Sequence, residues 1–402
     1  MHKGFLKAGH LPTLFASFLY FDLSFMAWVL LGPLGVSIGK DLHLSPADKG
    51  LMVATPVLAG AVLRVVLGVL VDRYKPKRVG IGAQILVIIG LIAAWTIGIH
   101  SLSATLLLGC VLGLAGASFA VALPLASSWY PPEHQGTALG LAGAGNSGTV
   151  LAALFAPGLA MLFGWQNVIG LAAIPLFATL LVFTLMAKDT PHPAPAKSLA
   201  AYLDLLRVPD AWWFMFFYSV TFGGFVGLAS SLTIYFNDQY GLPPVTAGYC
   251  TAAVVFVGSM VRPMGGAVAD RIGGVRALTV LYAVASAAFA TIATGLSTIY
   301  LVMPVFLIGM LCLGMGNGAV FQLVPQRFSK EIGVMTGLVG MTGGVGGFYL
   351  ASSLGYSKQF TGSYGLGFLI FAVLAATALL CLTKVRGRWR ATWAERYGAA
   401  RV

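Results

Sequence analysis

The sequence predicts an all-α membrane protein whose twelve membrane-crossing helices form two pseudo-symmetric six-helix halves. Three observations carry that reading. The 402 residues are 58% hydrophobic and 9% charged, whereas soluble domains carry roughly 25% charged residues. Twelve apolar runs, each near the ~20 residues that cross a bilayer, fall at about 12–36, 48–70, 79–99, 103–128, 137–162, 166–187, 212–236, 246–269, 275–295, 299–324, 333–354 and 363–384. One ten-residue stretch also occurs twice. Arg64-Val-Val-Leu-Gly68-Val-Leu-Val-Asp72-Arg73 returns 198 positions later as Arg262-Pro-Met-Gly-Gly266-Ala-Val-Ala-Asp270-Arg271, both fitting R-x3-G-x3-D-R. The domains expected are a first half over 1–187, a cytoplasmic linker over 188–209, a second half over 210–384 and a basic tail over 385–402.

The formal net charge of +12 could suggest nucleic acid, but its distribution does not. With both ends on one side, that side collects every Lys and Arg except Lys40, Lys49, Lys358, Arg64 and Arg262. Lys3, Lys7, Lys197, Lys330 and Arg401 belong to this set. Excess Lys and Arg mark cytoplasmic loops, which places both termini in the cytoplasm. Cys110, Cys250, Cys312 and Cys381 lie within spans without metal-type spacing and read as small buried hydrophobes. The first apolar run is too long for a cleaved signal peptide and carries on as a span.

Along the chain, the first run contains Tyr20-Phe-Asp22-Leu-Ser-Phe25-Met-Ala-Trp28. Asp22 sits near the midplane, where a lone carboxylate must be paired or protonated. It is either a proton-coupling group or a structural partner, and the aromatics around it read as lipid-facing or core packing. In the next loop, Ser45-Pro46-Ala-Asp48 is a helix N-cap signal, and His43 is expected in solvent. The run at 48–70 carries Arg64, eight residues and about 12 Å inside Asp72 at ~1.5 Å per residue. The apolar slab is about 30 Å thick, so Arg64 and its repeat Arg262 both lie near its middle. A guanidinium there is costly and seldom faces lipid. Two at equivalent positions of a duplicated chain read as one anion-binding site.

The run at 103–128 holds Gly113-Leu-Ala-Gly116-Ala-Ser-Phe119, and the loop after it, with Glu133 and His134, is turn-like and solvated. Gly136-x3-Gly140-x2-Gly143-Ala-Gly145-Asn146 is echoed by Gly333-x3-Gly337-x2-Gly340-Met-Thr342-Gly343. Such spacing puts small residues on one helix face where backbones can approach and slide, so Gly143, Gly145, Gly340 and Gly343 are expected to serve the conformational change. Asn146 adds an amide at depth. Residues 188–209 are polar and Pro-rich, as linkers are. Tyr218 and Phe222 share a helix face one turn apart. The basic tail suits an anionic inner leaflet, with Trp389 and Trp393 at the interface.

Gly68-Val-Leu-Val-Asp72-Arg73, followed by Lys75, Lys77 and Arg78, resembles the signature loop of the major facilitator superfamily. That resemblance implies a fold of two six-helix halves and a cytoplasmic-gate role for Asp72 and Arg73, extended by the repeat to Asp270 and Arg271. Midmembrane Arg64 and Arg262, together with the two Gly-rich segments and Asn146, resemble the nitrate/nitrite porter family over most of the chain. Among its branches, the stretch Ser17–Trp28 most resembles bacterial assimilatory nitrate transporters. The resemblance implies that Arg64 and Arg262 clamp the anion, that Asn146 hydrogen-bonds one of its oxygens, and that Tyr218, Phe222 and Phe119 shape and close the cavity. It implies no role for Asp22, which as the only acidic residue at depth is the proton-coupling candidate.

The function expected is uptake of nitrate, and nitrite with it, across the inner (plasma) membrane by alternating access with proton symport. The alternatives are nitrate/nitrite exchange and transport of another small anion such as a carboxylate. The partners are the inorganic anion, protons and membrane lipid, with a monomeric protein as the family's expectation. No cofactor or metal is expected. Catalysis is not expected either, because the sequence shows no nucleophile–base pair and no phosphate loop. The glycines at 314–318 lack the preceding strand that a dinucleotide fingerprint needs.

Overall fold

The computed structural model describes residues 5–190, 199–328 and 331–397. Lys3, Lys197, Lys330 and Arg401 fall outside these residues, as do the side chains of Glu133 and Trp393. The twelve crossings are α1 Leu11–Asp41, α2 Pro46–Tyr74, α3 Pro76–Ile97, α4 Leu102–Ser127, α5 Thr137–Phe163, α6 Trp165–Met186, α7 Pro209–Tyr240, α8 Pro244–Ile272, α9 Gly274–Ala293, α10 Ile299–Arg327, α11 Gly333–Thr361 and α12 Gly365–Trp389. Several run past their predicted apolar ends. The largest overruns are at the ends of α11, which runs to Thr361, and of α12, whose helix runs to Tyr397, and at the end of α7 the polar Asn237-Asp238-Gln239 stays helical. The Ser45 cap forms as a full capping box with Asp48, satisfying two amides that the first turn of α2 leaves without partners.

The duplication is visible in the backbone itself. Among the described residues, positive φ angles occur at His43, Lys75, Gly98, Gly164, Gly241, Gly273, Gly295 and Gly362. These fall into four pairs, His43/Gly241, Lys75/Gly273, Gly98/Gly295 and Gly164/Gly362, each 197 or 198 positions apart. At Gly164 and Gly273 a single residue, with φ of 82° and 96°, reverses the chain between two spans, a conformation glycine adopts without penalty. Lys75 holds the same bend as Gly273 with a side chain attached, at φ 73°.

The halves meet along three seams, α2 against α11, α5 against α8 and α1 against α7. Glycines set the spacing there. A Cβ on Gly50 would lie 2.8 Å from Gly355 Cα, and one on Gly344 would lie 2.7 Å from Ala61. On the face opposite the chain ends, Lys49 at the start of α2 pairs with Asp238 at the end of α7 at 3.3 Å. Tyr364 donates to the same carboxylate at 2.9 Å.

Four expectations change. Residues 188–209 are not wholly linker, because Leu199–Leu206 is helical and α7 begins at Pro209. Tyr202 of that short helix is buried beside Gly68 and Gly337. The 385–397 stretch is not a separate tail, since the α12 helix continues unbroken to Tyr397. Trp389 is fully buried rather than interfacial: its indole donates to Asp210 at 2.9 Å and stacks on Phe214 at 4.9 Å. Only Cys312 is buried, whereas Cys110 is exposed on the outer surface of the bundle, where an apolar thiol costs nothing against lipid. The aromatics around Asp22 do pack in the core, with Phe21, Phe25 and Trp28 fully buried, and His43 is exposed as expected.

Candidate functional site

Four of the helices that approach the centre are interrupted there, whereas α2, α7, α10 and α11 cross it unbroken. α1 breaks after Trp28 and resumes at Leu31, α4 breaks between Gly116 and Phe119, and α8 breaks at Val261 immediately before Arg262. α5 changes from α-helix to a 3-10 turn over Ala144–Ser147 and returns to α-helix at Gly148. Irregular backbone at membrane depth persists only where protein or a cavity satisfies it. The break in α4 shows how. Ala120 turns its N–H to Ala117 O, and the Gly116 carbonyl accepts Arg64 Nε at 3.1 Å.

Arg64, 2% exposed, is held from both halves. Its Nη1 donates at 2.7 Å to the carbonyl of Gly340 on α11, while Nη2 is buried without a partner. Four aromatic faces surround its Cζ, Phe222 at 5.1 Å, Trp28 at 5.2 Å, Phe119 at 5.4 Å and Phe25 at 5.8 Å. Cation–π contact of this kind contributes about 0.5–2 kcal/mol per face. Arg262 is half-buried, lies 5.5 Å from the Phe321 ring and faces the Tyr218 hydroxyl. Its Nη1 is likewise buried and unpartnered. Each guanidinium is within electrostatic reach of the other and of Tyr218. Among the described residues no carboxylate bonds either of them, so the centre holds two cations with open donors.

Tyr218 and Phe222 stack with centroids 5.1 Å apart, and Phe321 joins Tyr218 edge-on at 4.9 Å and Phe119 at 6.3 Å. Asn146 is 1% exposed with Oδ1 unpartnered, and its carbonyl meets Ser259, one turn before Arg262, at 3.5 Å. The structure therefore brings Arg64, Arg262, Phe119, Tyr218 and Phe222 into one cluster, with Asn146 against the turn of α8 that leads to Arg262. Asp22, 7% exposed, bonds Ser147 at 2.7 Å rather than either arginine.

The shared glycines are of two kinds. A Cβ on Gly143 would meet nothing within 4 Å, and one on Gly340 would be in ordinary contact with Arg64 at 3.6 Å. On Gly145 it would press the Phe21 ring, and on Gly343 it would lie 2.8 Å from the Tyr218 and Phe222 rings. Close approach thus applies to Gly145 and Gly343 and not to Gly143 or Gly340. Asp72, Arg73, Asp270 and Arg271 lie at the far ends of α2 and α8, away from the cluster. Arg73 stacks over Tyr74 at 5.4 Å. Beside Asp72, burial and then that carboxylate raise the Tyr202 phenol above its ordinary pKa. Residues that sequence reasoning missed are Phe25, Trp28 and Phe321, with the carbonyls of Gly116 and Gly340. A carbonyl role leaves no side-chain signal. Trp28 could have been noticed from Gly116, whose missing side chain is what admits the indole.

A duplicated twelve-helix bundle with charged groups at the seam of its halves defines a transporter of the major facilitator type. The Major Facilitator Superfamily family profile matches residues 16–351. A bacterial homolog of the human lysosomal transporter Spinster, solved in an inward-facing and unoccupied conformation, superposes with a TM-score of 0.72. That match has 17% sequence identity and covers 96% of this chain and 99% of that one. It establishes the fold alone. The "Probable nitrate/nitrite transporter NarK2" of Mycobacterium tuberculosis (strain ATCC 25618 / H37Rv) is 35% identical over 90% of this chain and 92% of its own. The "Nitrite extrusion protein" of Bacillus subtilis (strain 168) is 32% identical over 89% of each. The chain belongs to the nitrate/nitrite porter family of the major facilitator superfamily.

Proposed function

We propose that this protein carries nitrate and nitrite across the plasma membrane by alternating access, with uptake driven by proton symport. The observation that carries the reading is the pair of arginines, one from each half, each with a buried N–H donor that has no partner among the described residues. Nitrate and nitrite are small planar anions rich in acceptor oxygens, and guanidinium offers a rigid planar fork of donors that a lysine does not. Without the anion the two cations repel each other. With it, part of that repulsion is neutralised and the halves can draw together, so closure depends on substrate. Asn146 would donate its amide to the anion, and Phe119, Tyr218 and Phe222 would wall the site. Asp72, Arg73, Asp270 and Arg271 would act at the gate on the cytoplasmic face, where both termini lie, with Gly143, Gly145, Gly340 and Gly343 easing the rocking of the halves. A single chain forms the whole site and works as a monomer.

An inside-negative potential opposes anion entry by about 2.3 kcal/mol per charge per 100 mV. Uptake against it requires at least two protons per anion, or exchange for an anion leaving the cell. Asp22 is the candidate coupling group. Exchange is the second reading, favoured by a Thermus thermophilus relative named as a probable nitrate/nitrite antiporter. Reconstituted vesicles separate the two. Nitrate entry driven by an imposed pH gradient into nitrite-free vesicles supports symport, whereas entry that requires internal nitrite supports exchange. Competition by nitrite, chlorate and formate tests the anion class. Unchanged proton-driven accumulation in Asp22→Asn would remove Asp22 from the coupling role. Near-normal transport by both Arg64→Lys and Arg262→Lys would remove the clamp.

A further inference from the structure

Asp22 Oδ1 accepts the Ser147 hydroxyl at 2.7 Å. α1 presses onto α5 at this point. A Cβ on Gly148 would overlap the Asp22 carbonyl oxygen, and one on Gly145 would meet the Phe21 ring and lie 3.0 Å from the Asp22 backbone nitrogen. Between those two glycines lie Asn146 and Ser147, in the 3-10 turn that interrupts α5. Mid-helix 3-10 segments frequently mark functional hinges.

Asn146 does not hold itself in place. Its side-chain amide makes no hydrogen bond among the described residues, and its Oδ1 is buried without a partner. Its bonds run through its backbone carbonyl, which accepts from Thr149 at 2.7 Å and from Ser259 at 3.5 Å. The direction of the amide is therefore set by the backbone on either side, and the carboxylate of Asp22 anchors that backbone just beyond it. We infer that Asp22 is a positioning residue for Asn146, clamping the 3-10 turn so that the amide points at the anion held by Arg64 and Arg262. The inference rests on the anion-site reading above and adds to it the element that aims one of its donors. A carboxylate suits the task because a hydrogen bond from a hydroxyl to a charged acceptor is stronger than one between neutral groups.

The test is a cycle on the full chain, purified in detergent and reconstituted, with nitrate as the probe. Asp22→Ala, Asp22→Asn and Ser147→Ala are each made alone and in an Asn146→Ala background. Monodispersity and thermal stability are followed as the folding control. Asp22→Ala is expected to raise the nitrate Kd, read at equilibrium without a pH gradient, roughly tenfold, the size of one lost hydrogen bond to a charged group. Asp22→Asn retains one acceptor oxygen and is expected to fall between Asp22→Ala and the native chain. In the Asn146→Ala background none of the three is expected to add a further loss. Ser147→Ala, which leaves the carboxylate in place, carries the test if Asp22→Ala does not fold. Losses of equal size in both backgrounds overturn the inference, because they describe general loosening. An unchanged Kd in Asp22→Ala overturns it while leaving the clamp intact. A native chain with no affinity for nitrate overturns the clamp and the inference together.

Discussion

Arg64→Lys keeps the charge and removes the geometry. In the native site the guanidinium is engaged in two directions at once, Nε to Gly116 O at 3.1 Å and Nη1 to Gly340 O at 2.7 Å, and its buried Nη2 remains as an open donor among the described residues. An ammonium is a compact point charge that does not span two carbonyls on separate helices while facing an anion. At least one of those interactions is lost, and a hydrogen bond to a charged group contributes about 1.5–3 kcal/mol. The aromatic faces of Phe222, Trp28, Phe119 and Phe25 still attract a cation, so the cost does not rise to that of removing the charge. The nitrate Kd should therefore rise by roughly ten- to a hundredfold. Isothermal titration of purified protein measures this directly, with thermal stability checked alongside. A Kd within about threefold of the native value would show that a point charge suffices, and the argument from the planar fork would fall.

Three further outcomes are expected. Asp210 holds Arg327 at 2.8 Å, Trp389 at 2.9 Å and Arg388, joining the ends of α7, α10 and α12. Asp210→Asn leaves those cations uncompensated and should destabilise the second half by about 2–3 kcal/mol, less than a fully buried pair because Arg388 is half exposed. A lower melting temperature, faster proteolysis of the 385–397 extension and an unchanged nitrate Kd would bear this out. Lys49→Ala and Asp238→Ala each remove the ion pair across the halves and should each cost about 1 kcal/mol. The double variant should be no less stable than the worse single one, as read by thermal melts in a double-mutant cycle. His10, just ahead of α1, caps that helix by accepting the Thr13 N–H on Nδ1 at 3.2 Å. Burial and then Lys188 lower its pKa, so the folded state binds that proton less readily than the unfolded chain. The cap is present above the ordinary histidine range near 6.5 and is lost as the pH falls below it, at a cost of about 1 kcal/mol. His10→Asn, a cap that does not titrate, should abolish this pH dependence in hydrogen exchange at the start of α1.

How much of this was legible in the sequence depends on what each residue had to announce. The twelve spans were readable because the bilayer demands long apolar runs, and only polar ends such as Asn237-Asp238-Gln239 extended them unseen. Arg64 and Arg262 were readable because charge at depth has no bland explanation when it recurs in a duplicated motif. The helix breaks at Trp28 and Gly116 were hidden, since small and apolar residues spell an intact helix equally well, whereas the break at Val261 was signalled by Pro263 in the first turn that follows. Their consequence, a freed Gly116 carbonyl serving Arg64, has no side chain to betray it. Gly143 and Gly145 are written in the same letter two positions apart, yet one faces open space and the other a phenyl ring. Only the rotation of α5 against α1 distinguishes them. Trp389 looked like an interface residue because it follows the last apolar run, but Asp210, far away in sequence, draws it inward.

The paired bends act as a ruler. Arg64 follows the His43 bend by 21 positions, and Arg262 follows the Gly241 bend by the same 21. Both helices then end 11 positions further on, at Lys75 and Gly273. The two cations are thereby levelled against each other by residue count, so adding or deleting a residue between bend and arginine would tilt one donor fork out of the plane of the other. Length variation in this chain should therefore be tolerated outside the bends and rejected between them, even where the inserted residue is as apolar as its neighbours.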